Sequence, residues 1–432
     1  MKKLVVIILI VALVATMAIG CTKEVAEQEV EEREVVKEEV VTEKPAEPVT
    51  IKVTSGLWSK PEEQQYVREE ALTAFEAETG ITVELEVVEN IQDMMESQKG
   101  SGEWTSDVVI THSGDMTKYI SNGYVQSLNS VLDKMDITIL PAFNESTSAD
   151  GETYYVPISA DVYLVIANNK ALDYLPDGAE LNSITWEQYK DWAIAIAEGE
   201  GSPKTTMPAL TVKSMCYQVG GMGLSYGADF ADIDSDAMKD TWALVGEMIA
   251  ADAIVETSFS YGDPVDLMKA EEAWLSFYHM GPVGQVYGSA PAQFTIAPAP
   301  AGPVGNGSIA GAWGMGITAG TENLEAAQAF IEYMARPDVL YKVTQGIGGT
   351  IPPVQEVVDV LGSEPADEVV KMGLITLQAG IPHGVPAADY TDWGAVKTVY
   401  DETFKKLWDD KGVVDVDFLA TQQAALEDLL LE

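Results

Sequence analysis

Cysteine is nearly missing from this chain: Cys21 and Cys216 are the only two. They allow one disulfide at most. The fold must then rest on an apolar core, for which residues 49–432 supply ample chain and suggest two lobes. Histidine is as scarce, with His112, His279 and His383 far apart and no compact spacing of the kind that marks a zinc site. Cys216 has neither an adjacent base nor a partner cysteine and reads as a small buried hydrophobe. Neither a Gly-rich phosphate loop with its lysine nor a nucleophile elbow is present. The nearest lookalike, Gly220-Gly-Met-Gly223, follows a helical pattern instead of a strand. No catalytic residue, metal site or cofactor is assigned.

Positive charge is also short: 25 Lys and Arg stand against 69 Asp and Glu, for a formal net charge of -44. The acidic excess runs along the whole chain, and a phosphate backbone needs basic surface, so nucleic acid is not an expected partner. Acidity alone does not make the ligand cationic, because a solvated acidic surface accounts for it equally well. Among 69 acids a carboxylate pair arises by chance, so the sequence leaves a glycosidase pair open.

Turning to what is there, Lys2 and Lys3 precede an apolar run from Leu4 to Ile19 that closes on Gly20 and Cys21. Charge, apolar core and small-residue exit predict an export signal over residues 1–21, and the run is short for a membrane span. A single amino-terminal anchor helix is the alternative. Ala18-Ile19-Gly20-Cys21 resembles the lipobox of prokaryotic lipoproteins, with Ala18 where leucine is usual. That resemblance implies lipid on Cys21 and a protein held at the membrane surface. Residues 22–48, without Gly or aromatic residues, read as an acidic flexible tether.

The body opens on alternation. Ile51, Val53 and Ser55 suggest a strand; Ser59 with Glu62 has capping-box spacing, and the helix that follows stops at Gly80. A second strand spans Ile81–Val87, a third Asp107–Thr111, and a helix runs from about Asp115 to Ser121. Strands alternating with helices imply a largely parallel sheet. The apolar stretch Thr153–Ala167 is suited to carry the chain between lobes. Helices are expected at about Trp186–Glu198, Pro208–Val219, Asp236–Ala251 and Pro264–Ala270. The turn-formers of Gly281–Gly316 argue against continuous helix, with short strands near Phe294–Ala297 and Ala310–Thr318. A helix from Thr321 ends near Arg336-Pro337, and amphipathic helices over Tyr390–Trp408 and Phe418–Leu431 finish the chain.

Candidate ligand contacts come from aromatic residues at predicted turns: Trp58, Trp274, Trp313 and Trp393. An indole face packs on the apolar C–H surface of a sugar while carboxylates and amides bond its hydroxyls, although each tryptophan fits ordinary core packing as well. Trp313 is favoured because Gly311, Gly314 and Gly316 leave backbone exposed around it. Asp115, beyond the third strand, and Asp161, inside an apolar crossing, are acids that need solvent or a partner. His112 and Asn168 are weaker candidates, and His279 reads mainly as a histidine satisfied by backbone.

Several segments in order resemble the extracellular solute-binding proteins of ABC importers, in the sugar-binding group that includes maltose-binding proteins. Trp58–Gly80 is similar to their first post-strand loop and helix, and Asp107-Val-Val with Gly123-Tyr-Val-Gln-Ser-Leu to their strand and Gly-x-x-x-x-Leu connection. Gly151-Glu-Thr-Tyr-Tyr-Val-Pro157, Asp161 and Tyr163–Asn168 resemble the first crossing between lobes. Ile309-Ala-Gly-Ala-Trp-Gly-Met-Gly-Ile317 is similar to the returning one, and Gly348-Gly-Thr-Ile-Pro352 to the third. The resemblance implies an α/β, two-lobed periplasmic-binding-protein-like fold with a central ligand cleft. It divides the body into a discontinuous first lobe, 49–161 and 311–432 with the C-terminal helices, and a second lobe, 162–310. It further implies hinge closure on a small-molecule solute, a mono- or oligosaccharide above all, delivery to ABC permease subunits, and no chemistry on the ligand. A lipid-anchored sensory module and a secreted carbohydrate-active enzyme are the competing readings.

Overall fold

Alternating apolar residues at the start of the body do form strands. The computed structural model describes residues 49–431 except 89, 210–213 and 347–348, so the predicted signal, Cys21 and the tether lie outside the described residues. In chain order the first strands are β1 (Thr50–Ser55), β2 (Thr82–Val87), β3 (Val108–His112), β4 (Val125–Gln126), β5 (Val156–Asp161) and β6 (Tyr163–Asn168). They are followed by β7 (Thr205–Thr206), β8 (Leu275–His279), β9 (Phe294–Ala297), β10 (Gly305–Ile309), β11 (Gly311–Thr318) and β12 (Gly380–His383).

One sheet runs β2-β1-β3-β11-β4, with β5 also paired to β11. Its parallel part is confined to β1, β2 and β3, where Ile51 pairs Val83 and Val53 pairs Val108. The expectation of a largely parallel sheet fails at β11, which is antiparallel to β3, β4 and β5. The reason is the route of the chain: β11 arrives straight from β10 through Ala310 and not by a helical crossover, so its direction is set by the crossing. The second sheet, β9-β6-β8-β7, is antiparallel at β9/β6 and β6/β8 and parallel only at β8/β7.

Only Val162 separates β5 from β6, and only Ala310 separates β10 from β11. These two crossings lie side by side, Asp161 opposite Gly311, and the Tyr163 N–H donates to Ser308 Oγ at 3.0 Å. Ile351 adds a third crossing, exchanging both backbone hydrogen bonds with Ala160 at 2.8 and 2.9 Å.

The first sheet packs Ile51, Val108, Ile110 and Met315 against Phe75, Phe330 and Leu340. The second builds a larger core around Trp186, Trp192, Trp242 and Phe277, and it includes Val369, Tyr400 and Phe404. The expected grouping of 311–432 with the first lobe therefore divides. Helices Leu324–Met334 and Pro337–Gly346 pack with the first sheet, whereas Pro365–Ala379, Trp393–Asp409 and Val416–Glu427 share the second core, where Trp393–Asp409 meets the helices Met215–Tyr226 and Asp236–Ala250.

Three local expectations also change. The N-cap of the first helix is Lys60, whose N–H donates to Glu63 at 3.5 Å, one residue later than the Ser59–Glu62 spacing suggested. The helix expected at Pro208–Val219 runs from Met215 to Tyr226; its glycines face β10, where a Cβ at Gly307 would lie 2.3 Å from the Gly221 carbonyl. Finally, Met280–Ser289 is a helix despite its glycines and Pro282, since a proline in the first turn loses no helical hydrogen bond.

Candidate functional site

Loops leaving the C-terminal ends of β1, β2 and β3 gather at one side of the first sheet, the place where open α/β sheets present ligand sites. They enclose a cavity of about 360 Å³ lined by Gln64, Asn90, Gln92, Asp115, Tyr119 and Trp313, among others. His112 ends β3, and its Nδ1 accepts the Gly114 N–H at 3.1 Å, capping the helix Ser113–Ser121. Asp115 sits in the first turn of that helix, where burial raises its carboxyl above the usual range against the pull of Lys118. Trp313 lies on β11, beside a register shift between it and Gly314 that re-aims the strand. The indole fits over Gly56, where a Cβ would meet Cζ3 at 2.8 Å, and His112 packs edge-on against it with ring centres 5.3 Å apart.

A second cavity, about 210 Å³, adjoins the first at His112 and Trp313 and takes walls from both sheets. Asp161 ends β5, Tyr163 begins β6, His279 ends β8, and Tyr217 projects from the helix Met215–Tyr226. Asp161 Oδ2 lies 3.6 Å from His279 Nε2, and Asp161 Oδ1 is buried with no hydrogen-bond partner among the described residues. Burial opposes a charged His279 ring, but the Asp161 carboxylate outweighs it and holds the pKa above the ordinary value. His112 goes the other way: burial, aided by repulsion from His279, brings it to about 4 despite Asp161. Burial also keeps the Tyr163 and Tyr217 phenols protonated, and Tyr217 Oη accepts the Trp393 Nε1–H at 2.9 Å. A third cavity of about 400 Å³ continues past Gly311 and Val385 toward Ser113, Phe143, His383 and Asp389.

The structure thus brings together four of the expected residues, Trp313, His112, Asp115 and Asp161. Three tryptophans line none of these cavities. Trp58, only 1% exposed, is sealed in the first core, where φ of 63° turns its ring inward from the loop. Trp274, 7% exposed, is covered by Lys170 and Lys204. Trp393 stands one layer back, behind Tyr217. Asn168 caps a helical turn by accepting the Lys170 N–H at 3.0 Å. His279 meets its backbone partner as expected, accepting the Gly281 N–H at 3.2 Å, yet it also faces the cavity. Two site residues escape sequence reasoning. Tyr217 is hidden in an apolar helical pattern, while Tyr163 stands in the crossing segment, where its alternation with Leu164 is the available signal.

The arrangement offers ring faces and hydrogen-bond acceptors, and among the described residues no Lys or Arg lines the three cavities. Among the described residues no group of three or more His, Cys, Asp or Glu is placed to hold a metal ion, and no helix is long and apolar enough to cross a membrane.

A family model described as bacterial extracellular solute-binding protein matches residues 70–373. No curated protein matches the chain. Among solved structures, maltose-bound MalE3 of T. maritima is similar with a TM-score of 0.72 at 18% identity, covering 88% of this chain and 100% of its own. The GacH receptor of Streptomyces glaucescens, solved unliganded and with acarbose, gives 0.69 at 20% identity over 88% and 99%. UgpB from Mycobacterium tuberculosis, in complex with glycerophosphocholine, gives 0.69 at 14% over 89% and 98%. A likeness at identities this low is a likeness of fold, and that fold is two-lobed.

Proposed function

We propose that this chain, which belongs to the bacterial extracellular solute-binding protein family, captures a mono- or oligosaccharide in its cleft and hands it to the permease of an ABC importer. The observation that carries the ligand class is Trp313, which presents an indole to two cavities whose other polar groups include Asp115 and Asp161 Oδ1, the latter without a hydrogen-bond partner among the described residues. A sugar ring stacks its C–H face on the indole while its hydroxyls donate to the two carboxylates. Among the described residues an anionic solute would meet two carboxylates and no Lys or Arg. Maltose and acarbose in two proteins of the same fold agree with this reading.

Binding draws the sheets together about Val162 and Ala310, and the population shifts to the closed form to the extent that the ligand touches both walls. No step alters the ligand covalently. Lipid on Cys21 would tether the protein to the outer face of the cytoplasmic membrane, beside the permease.

A thermal-shift screen of the protein against saccharides, polyamines, amino acids, organic acids and metal salts tests the proposal. A ligand at a hundred times its Kd adds about 2.7 kcal/mol to the folded state, a readily measured rise in Tm. A selective, saturable rise with one sugar class, abolished by Trp313→Ala, is expected. A rise only with a charged solute would replace the saccharide assignment while leaving solute capture standing.

A further inference from the structure

The crossing at Val162 sets a carboxylate, that of Asp161, in the wall of the small chamber, the cavity of about 210 Å³. Asp161 Oδ1 is buried with no hydrogen-bond partner among the described residues, and Oδ2 stands 3.6 Å from His279 Nε2, longer than a hydrogen bond. A buried carboxylate is costly unless a cation balances it. Neither neighbouring histidine is free to do so. His279 and His112 each use Nδ1 to accept a backbone N–H, from Gly281 and Gly114, whereas a protonated imidazole carries hydrogen on both nitrogens and accepts nothing. Asp161 pulls a proton toward His279 and the Gly281 cap resists it, so what the carboxylate lacks is a cation that costs no cap. No Lys or Arg among the described residues lines the chamber.

Rings make up much of the remaining wall. Tyr163, Tyr217 and Trp313 stand around the same space, and an aromatic face attracts a cation as well as packing on the C–H surface of a sugar. A hydrogen bond between a charged donor and a charged acceptor is roughly twice as strong as one between neutral groups, so this carboxylate favours an ammonium over a hydroxyl. The net charge of -44 draws a cation to the protein and repels an anion. Resting on the saccharide reading above, we infer that the solute is an amino sugar, a saccharide with a free protonated amine that Asp161 receives in the small chamber. An N-acetylated sugar has lost that charge and belongs with the neutral sugars.

Isothermal titration of the protein with sugars matched in skeleton decides the matter. The probes are glucosamine, galactosamine and mannosamine, the 3-, 4- and 6-amino forms of glucose, and the chitosan disaccharide, each against its all-hydroxyl counterpart and, for the 2-amino sugars and the disaccharide, its N-acetyl form. For the skeleton that binds, the amine is expected to bind at least about tenfold more tightly than the hydroxyl sugar. Asp161→Asn should bring that ratio to within about twofold. The ratio on the unaltered protein decides by itself if the variant fails to fold. Hydroxyl sugars bound as tightly as their amines, or an advantage of the amine that survives Asp161→Asn, overturn the amino-sugar inference and leave saccharide capture intact. If no sugar of the series binds, charged or neutral, the saccharide reading falls and this inference with it.

Discussion

At the end of β3, His112 turns its Nδ1 back to accept the N–H of Gly114 and caps the helix that follows; at the end of β8, on the other sheet, His279 does the same with Gly281. Both rings then line the small chamber. Backbone geometry repeats, yet the charge does not. Asp161 lies 3.6 Å from His279 and holds its pKa up, whereas burial leaves His112 neutral down to about 4. Two matching strand-to-helix corners thus acquire opposite electrostatic characters from one carboxylate on a crossing strand.

The largest test of this comparison is steric. A Cβ at Gly311 would sit 2.6 Å from His112 Nε2, on a strand fixed by its pairing to β3 and β5. Gly311→Ala is expected to cost about 2–3 kcal/mol in urea unfolding, as overpacking does. At the other corner a Cβ on Gly281 meets only the His279 ring, at 3.3 Å, so Gly281→Ala should cost less than about 1 kcal/mol. Equal costs would show that the corners are packed alike.

Next comes acid. Because the His112 pKa falls to about 4 in the folded protein, the unfolded chain binds the extra proton between the ordinary value of 6.5 and 4. Its contribution is therefore complete above pH 6.5 and lost as pH falls, by about 3 kcal/mol at most. His112→Asn, which retains a capping acceptor, should flatten that part of the stability–pH curve; an unchanged slope would mean that His112 is not buried as described.

A smaller effect separates the rings directly. In Asp161→Asn, burial and the charge of Lys60 act on His279 without opposition, so its pKa, followed by NMR, should drop below the ordinary 6.5. A His279 titration that stays elevated would remove Asp161 as the cause. Smallest is His279→Asn. The raised pKa gives stability that is present below the unfolded value and lost as pH rises through the folded one, but the side chain is 37% exposed and solvent screening leaves well under about 1 kcal/mol.

Local alternation makes most strands of the first sheet legible, because Ile51, Val53, Val83 and Leu85 repeat with period two. What escapes is decided by distant partners. Met280–Ser289 reads as turn-rich from its glycines, yet it packs as a helix against Pro365–Ala379, where Gly373 supplies the room: a Cβ there would lie 2.9 Å from Ile351 and 3.2 Å from Met280. Tyr217 is indistinguishable in sequence from the core residues beside it, since a helix face is revealed only by what it opposes. Trp58 misleads for the same reason: a turn position suggests exposure, yet the ring folds under the loop. Asp161 is legible because a carboxylate inside an apolar run must face either solvent or a partner.

The joint at Ala310 also sets a rule of parity. β10 and β11 run on through a single residue, and side chains on a strand alternate faces, so one inserted residue would exchange the two faces of β11 up to its register shift after Trp313. Trp313 would leave the cleft and Ala312 would take its place. The length of the joint therefore fixes which side chain of β11 faces the cavities.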